Sequence, residues 1–146
     1  MPYNYHIDIA NQKVEVKFTG RLTGEEVIEV LQCVFFDDDW SLSFPHYWDG
    51  SGVTKLDFGF SDFEMIKPVV KAIQIPKDAK GGPMAVIVAN RVAYGIVRAA
   101  HAALEKGYKP FGIFKNRADA DLWITDHYAT KNIDMLRQRK ILWQSA

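Results

Sequence analysis

The sequence contains a single cysteine, Cys33, among its 146 residues, so the chain cannot form an internal disulfide. It carries no net formal charge, because 18 basic residues are balanced by 18 acidic ones. Nucleic-acid binders depend on an excess of Lys and Arg, so this balance argues against that class. The sequence has no apolar run of the length that crosses a bilayer and no basic-then-apolar segment at its start. These absences favour one cytoplasmic domain, with no nucleic acid and no integral membrane segment.

The spacings that mark metal and phosphate sites are also missing. The acidic run from Asp37 to Asp39 does not alternate its carboxylates as a calcium loop does. The glycines of "KGGP" are not followed by a helix pattern, and "DGSGV" is not the nucleophile elbow of a hydrolase. Four histidines have no zinc-ligand spacing with one another or with Cys33: His6, His46, His101 and His127. We therefore expect no metal, no cofactor and no catalytic residue.

What the sequence does contain is a regular series of strand and helix patterns. Apolar and polar residues alternate from Tyr5 to Ile9 and from Val14 to Phe18 around a short polar turn. This pattern predicts an antiparallel hairpin that ends at Gly20. Two capping-box patterns predict helices that begin at Thr23 and at Ser61, with the buried strand "HYWD" and an irregular or extended stretch between them.

The second half of the sequence continues the alternation. "MAVIVAN" is apolar on both faces, as a central parallel strand is, and Asn90 is placed to cap a third helix whose inward face includes Val92. "PFGIFKN" predicts another strand, and Asn116 is placed to cap a last helix. Strands that alternate with helices pair in parallel through right-handed crossovers. The predicted fold is therefore α/β or α+β, with a mixed sheet of about five strands behind the N-terminal hairpin.

In this order, the segments resemble the SpoIIAA-like proteins of the STAS-domain superfamily, especially its small bacterial members. The similarity is carried by "FTGRLTGEEVIEVL", "YWDGSGVTKLD", the strand and cap from Ala85 to Asn90, "YGIVRA" and "FGIFKNRADADLWI". It covers the chain from Tyr5 to Ile124. The resemblance implies a SpoIIAA-like domain over residues 1–130 and a C-terminal helical extension over residues 131–146, beyond the point where the short family members tend to end.

The resemblance implies a function as well. Members of the family are mostly non-enzymatic: they switch partners in sigma-factor control or regulate anion transporters, and the related CRAL-TRIO proteins bind lipids. Regulatory members carry a phosphorylatable serine directly after an Asp, whereas Asp57 is followed here by Phe58. The resemblance therefore implies a regulatory or protein-interaction module without the switch serine, and we expect no phosphorylation switch at Ser51 or Ser61.

A second hypothesis places a ligand beyond the carboxyl ends of the strands, where parallel α/β sheets collect ligands. The residues expected there are Asp49, Ser51, Asn90, Arg91 and Tyr94. The helix start at Asn90 offers free N–H groups and, with Arg91, could hold a carboxylate or a phosphate. A lipid binder or an enzyme would use the same cleft. In the alternative, structural interpretation, Asp49 stabilises a turn, Arg91 lies on the surface and Tyr94 packs on the sheet.

The end of the sequence supports two further hypotheses. One is binding to a membrane surface through basic and apolar residues: Leu136, Arg137, Arg139, Lys140, Leu142 and Trp143. The other is self-association. If helices cover only one face of the "MAVIVA" strand, its other apolar face must be covered by the tail or by a second copy. Because two-fold dimers are the commonest oligomers, we expect a homodimer.

Overall fold

The computed structural model describes residues 3–73, 82–103 and 110–127. The strands are β1 (Tyr3–Asp8), β2 (Lys13–Thr23), β3 (His46–Asp57), β4 (Met84–Ile87) and β5 (Phe111–Phe114). The helices are α1 (Gly24–Phe35), α2 (Phe60–Ala72), α3 (Arg91–Ala103) and α4, which includes residues 117–127. The predicted order of elements is confirmed, while the proposed extension over residues 131–146 lies outside the described residues.

The five strands form one mixed sheet in the order β1-β2-β3-β4-β5. The β1–β2 pair is antiparallel and the other three pairs are parallel. The predicted α/β class is therefore confirmed. Each parallel connection passes through one helix and moves the chain one strand further across the sheet, so right-handed crossovers place α1, α2 and α3 on the same face.

The alternation of side chains along the strands separates two cores. On the first face, Val14 and Val16 of β2 and Trp48 of β3 pack with Val30 and Val34 of α1. On the opposite face, α4 covers the centre of the sheet with two buried side chains. Its partners there come from β3 and β4, and the whole cluster consists of Tyr47, Ala85, Ile87, Ala120 and Ile124. The second apolar face of the central strand is thus covered by the last described helix of the same chain.

Strand β2 continues beyond the predicted end of the hairpin. Gly20 has a φ of 71°, in the left-handed region that glycine adopts without steric cost. The β2–β3 pairing shifts register between Lys17 and Thr19 and again after Gly20, and then runs on to Thr23. Gly20 therefore bends the strand at an irregularity and does not end it. Because β2 runs on to Thr23, β3 stays paired with it as far as Asp57, which agrees with the extended alternative for this stretch.

Three of the four predicted helix starts are confirmed, at Thr23, Asn90 and Asn116, and the one at Ser61 is wrong. Thr23 and Glu26 form the complete capping box of α1. Helix α2, however, begins at Phe60 and has Gly59 in the cap position. The carboxylate of Asp62 accepts a hydrogen bond of 2.7 Å from the N–H of Gly59. Because Asp62 reaches back to that donor from the third helical position, the helix starts before Ser61, which lies exposed in the first turn.

Candidate functional site

Strand β3 is longer than its neighbour β4, and this difference shapes the carboxyl end of the sheet. The β3–β4 pairing stops at Asp49, whereas the β2–β3 pairing continues to Asp57. The β2–β3 register shifts between Asp49 and Gly52, so β3 bends between its two parts, and Gly50 and Gly52 lie at this bend. A Cβ at Gly50 would lie 2.9 Å from the carbonyl oxygen of Ile87, and one at Gly52 would lie 2.9 Å from that of Phe18. Larger residues would therefore force the strands apart.

A groove opens where β3 runs on without β4. We call it the strand-end groove, and its volume is about 200 Å³. One wall is the second half of β3 and the other is the start of α3; the lining residues are Val53, Thr54, Lys55, Leu56, Ala89, Asn90, Val92 and Ala93. Val53 and Leu56 also pack against the first core, so this wall is anchored.

The five residues predicted for a strand-end site do not all meet in this groove. Asn90 lines it, and its Oδ1 accepts a hydrogen bond of 2.9 Å from the N–H of Ala93, which confirms Asn90 as the N-cap of α3. Arg91 and Tyr94 are exposed on the first turn of the same helix. Asp49 lines a different groove, and its carboxylate accepts a hydrogen bond of 2.9 Å from the N–H of the exposed Ser51. Asp49 therefore stabilises the bend after the buried part of β3.

The carboxyl end of the sheet carries exposed apolar side chains. Phe60, which opens α2, is 81% exposed, and Val92, in the first turn of α3, is 73% exposed. Met65 and Tyr94 are exposed on the same two helices. We call these four residues the apolar patch. The sequence pattern places Val92 inward, and this is wrong because α3 packs only loosely over the sheet, with no buried side chain among those described from Arg91 to Ala102.

At this end of the sheet the acidic side chains have bonded partners, whereas two basic side chains form no ion pair within the described residues. The carboxylate of Asp57 pairs with Arg21, whose hydrogen bond and charge lower the pKa of that carboxylate. The carboxylate of Asp62 is committed to the cap of α2. In contrast, neither Lys55 nor Arg91 forms an ion pair with any residue in the described ranges, although the charge of Lys55 also helps to lower the pKa of Asp57. The strand-end groove is therefore bordered by available positive charge.

A second groove, of about 280 Å³, lies on the other face of the sheet beside α4, and we call it the sheet-face groove. Its lining residues are Asn4, His6, Glu15, Val16, Lys17, Tyr47, Asp49 and Arg117. Arg117 donates hydrogen bonds of 2.7 Å to Glu15 and 3.0 Å to Asp121. Its hydrogen bond lowers the pKa of the Glu15 carboxyl. Because the guanidinium is committed to these partners, its role here is to fasten α4 to the sheet.

Tyr47 lies under this guanidinium. Burial, together with the nearby Asp121, raises the pKa of its phenol to about 12. A phenol with so high a pKa stays protonated at neutral pH and is a poor proton acceptor. Tyr47 therefore serves as a packing surface for Arg117 rather than as a base.

His46 is the fully buried titratable side chain of the described core. Its Nε2 lies 3.0 Å from the indole nitrogen of Trp40, and its Nδ1 lies 3.2 Å from that of Trp48. A neutral imidazole has one lone-pair nitrogen, so it accepts from one indole at a time. Burial lowers the pKa of His46 to about 3 and keeps the ring neutral. Enclosed by aromatic rings, His46 has a structural role.

Two features are not found in the described part of the chain: a cluster of side chains that could bind a metal, and a helix that could span a membrane. None of its His, Cys, Asp and Glu side chains form a group of three or more that could hold a metal ion. None of its helices combines the length and the apolar character that crossing a membrane requires.

The chain matches no protein-family model, no curated protein and no solved structure. The similarity to SpoIIAA-like proteins therefore rests on the sequence segments alone.

Proposed function

We propose that the protein is a non-enzymatic regulatory or protein-interaction module that binds a partner through the carboxyl end of its sheet. The apolar patch is the observation that carries this proposal, because Phe60 is 81% exposed and Val92 is 73% exposed. Exposed apolar side chains of this size mark interaction surfaces when they lie together, and both of these lie in the first turn of a helix that follows the carboxyl end of a strand. Covering a side chain of this size contributes about 1.5–3 kcal/mol, so a few of them can hold a partner.

The resemblance to SpoIIAA-like proteins supports the same proposal, because that family acts mainly by binding other proteins. The switch serine of its regulatory members is replaced here by Phe58. The proposed module therefore works without phosphorylation at that position.

A small anionic ligand or a lipid is the second candidate, favoured by the available charge of Lys55 and Arg91. Ligand pockets usually enclose about 300–1,000 Å³. The strand-end groove has a volume of about 200 Å³, which favours single side chains of a partner over a whole ligand. Titration with inorganic phosphate tests this candidate, because a ligand site would produce saturable NMR shifts at Lys55 and Arg91.

Photo-crosslinking in the native host tests the proposed module. A photoreactive phenylalanine analogue at position 92 should give a covalent adduct of one discrete mass, and Phe60→Ser should lower its yield. Leu122 on α4 supplies the matched control, because it is 65% exposed but lies outside the patch. Leu122→Ser should leave the yield unchanged. An analogue at position 122 that captures the same protein as efficiently, or no adduct from position 92, would contradict the proposal.

A further inference from the structure

The second half of β3 has an open edge. From Ser51 to Asp57 the strand pairs with β2 on one side, and no strand among the described residues pairs with its other side. Thr54 and Lys55 are exposed along this stretch. An unpaired edge presents a row of backbone donors and acceptors, which is the feature that strand addition uses.

The strand-end groove runs along this edge, and its opposite wall supplies apolar contacts. Val92 and Ala93 of α3 face β3 across the groove. An extended chain has side chains that alternate between two directions, so one row could contact Val92 while the backbone pairs with β3. The groove volume of about 200 Å³ suits a few side chains of such a chain.

The basic residues at the open edge of β3 indicate what kind of segment could bind there. Lys55 lies in the middle of the open edge, and Arg91 borders it without an ion-pair partner in the described ranges. If two copies paired their β3 edges around a two-fold axis through Lys55, the two Lys55 side chains would lie opposite each other, and like charges across a strand pair are destabilising. An acidic side chain at the same place would be attracted. The charge therefore disfavours a second copy in that register and favours an acidic segment.

We propose that the open edge of β3 from Ser51 to Asp57 binds an extended segment of a partner protein as an added strand, with apolar residues toward Val92 and an acidic residue opposite Lys55. This proposal rests on the proposed interaction function and specifies the chemistry of the partner. Backbone hydrogen bonds supply the affinity, and the acidic and apolar positions supply the specificity.

Titration of the full chain with a short synthetic peptide tests the proposal. The probe alternates valine and threonine around a central glutamate, and two matched peptides carry lysine in place of glutamate or N-methyl groups on alternate amides. The glutamate peptide should shift and protect the amides of residues 51–57. The lysine peptide should bind about tenfold more weakly, which corresponds to ~1.4 kcal/mol, and the N-methylated peptide should not bind.

Two charge-reversal variants locate the contact. Lys55→Glu should weaken binding of the glutamate peptide about tenfold and improve binding of the lysine peptide. Lys115→Glu, a charge reversal at another exposed position, directly after β5, should change neither. Three results would overturn the proposal: shifts elsewhere, equal binding of the N-methylated peptide, or protection of residues 51–57 without peptide. In the last case, sedimentation distinguishes a second copy at the edge from another part of the same chain.

The peptide experiment and the crosslinking experiment have independent outcomes, so each of the two proposals can be contradicted without the other. Discrete adducts from position 92 without peptide binding would retain the interaction module and remove strand addition. Peptide binding without any adduct would retain strand pairing at the β3 edge and remove the contact with Val92 and the apolar patch.

Discussion

The guanidinium carbon of Arg117 lies 3.8 Å from the centre of the Tyr47 ring. This cation–π contact joins the start of α4 to the start of β3, and the Glu15 hydrogen bond extends the link to β2. Arg117→Ala should therefore lower the free energy of unfolding by ~1 kcal/mol, measured by urea denaturation. Arg117→Lys should recover only part of the loss, because an ammonium cannot form the same fork of hydrogen bonds. Arg98→Ala, an exposed change on α3, is the control.

Replacing the N-cap of α3 should also be measurable. Asn90→Ala removes the side-chain acceptor for the N–H of Ala93 and should cost ~1 kcal/mol. Asn90→Ser should retain most of the stability, because serine is also a good N-cap. The measurement is the denaturant midpoint at constant slope. An unchanged midpoint for Asn90→Ala would show that the cap contributes nothing to stability.

Burial of His46 makes stability depend on pH. The ring's pKa is lowered from 6.5 to about 3 in the folded protein, so both states are neutral above pH 6.5 and this contribution to stability is complete there. As the pH falls from 6.5 toward 3, the imidazole of His46 becomes protonated in the unfolded state but stays neutral in the folded state. The free energy of unfolding should then fall by ~1.4 kcal/mol per pH unit, in addition to the effects of other groups.

Two histidine variants distinguish the contribution of His46 to acid sensitivity from that of the other titratable groups. His6→Gln, at an exposed position, should retain the acid sensitivity, whereas His46→Gln should lose most of the slope. If His46→Gln does not fold, the imidazole of the natural protein can be followed by NMR. A ring that is protonated at pH 5 in the folded state would contradict the prediction.

Substitutions at Gly20 test whether its left-handed backbone conformation is needed for the bend in β2. Gly20 has a φ of 71°, and no atom of the described residues lies within 4 Å of the place that a Cβ would occupy, so a side chain there meets backbone strain but no clash with them. Gly20→Ala should therefore destabilise the fold by ~1 kcal/mol, and Gly20→Asn by less, because Asn tolerates the left-handed region better. Equal thermal stability of the three proteins would mean that the strand relaxes into another conformation.

The expected homodimer is a prediction that sedimentation can check. Its sequence-based reason is weakened, because Ala120 and Ile124 of α4 already cover the second face of β4. If the dimer forms, it should use the apolar patch, and Phe60→Ser should shift the full chain to monomer. A monomer that is independent of concentration would remove the dimer and leave the patch available to another protein.

Local signals in the sequence predicted much of the fold. The hairpin alternation, the Thr23 capping box and the caps at Asn90 and Asn116 are confirmed, because each depends on residues a few positions apart. Asn116 Oδ1, for example, accepts a hydrogen bond of 2.9 Å from the N–H of Asp119.

The features that carry the candidate site depend on contacts between distant segments, and these could not be predicted. Val92 matches a buried helical stripe, but α3 packs loosely, so it is exposed. The length of β3 is set by its pairing with the bent end of β2. The position of α4 on the second face depends on Arg117 meeting Glu15 and Tyr47, and no spacing in the sequence indicates that.

The strand order has a consequence for how the protein is made. Neighbours in the sheet are also neighbours along the chain, so each strand can join the growing edge as it leaves the ribosome, without waiting for a distant partner. The attachment of α4 to the sheet, unlike the strand pairing, depends on a distant partner, because the hydrogen bond from Arg117 to Glu15 joins residues 102 positions apart. The second face of the sheet is therefore the last to close, and until it does a nascent chain exposes Ala85 and Ile87 to chaperones.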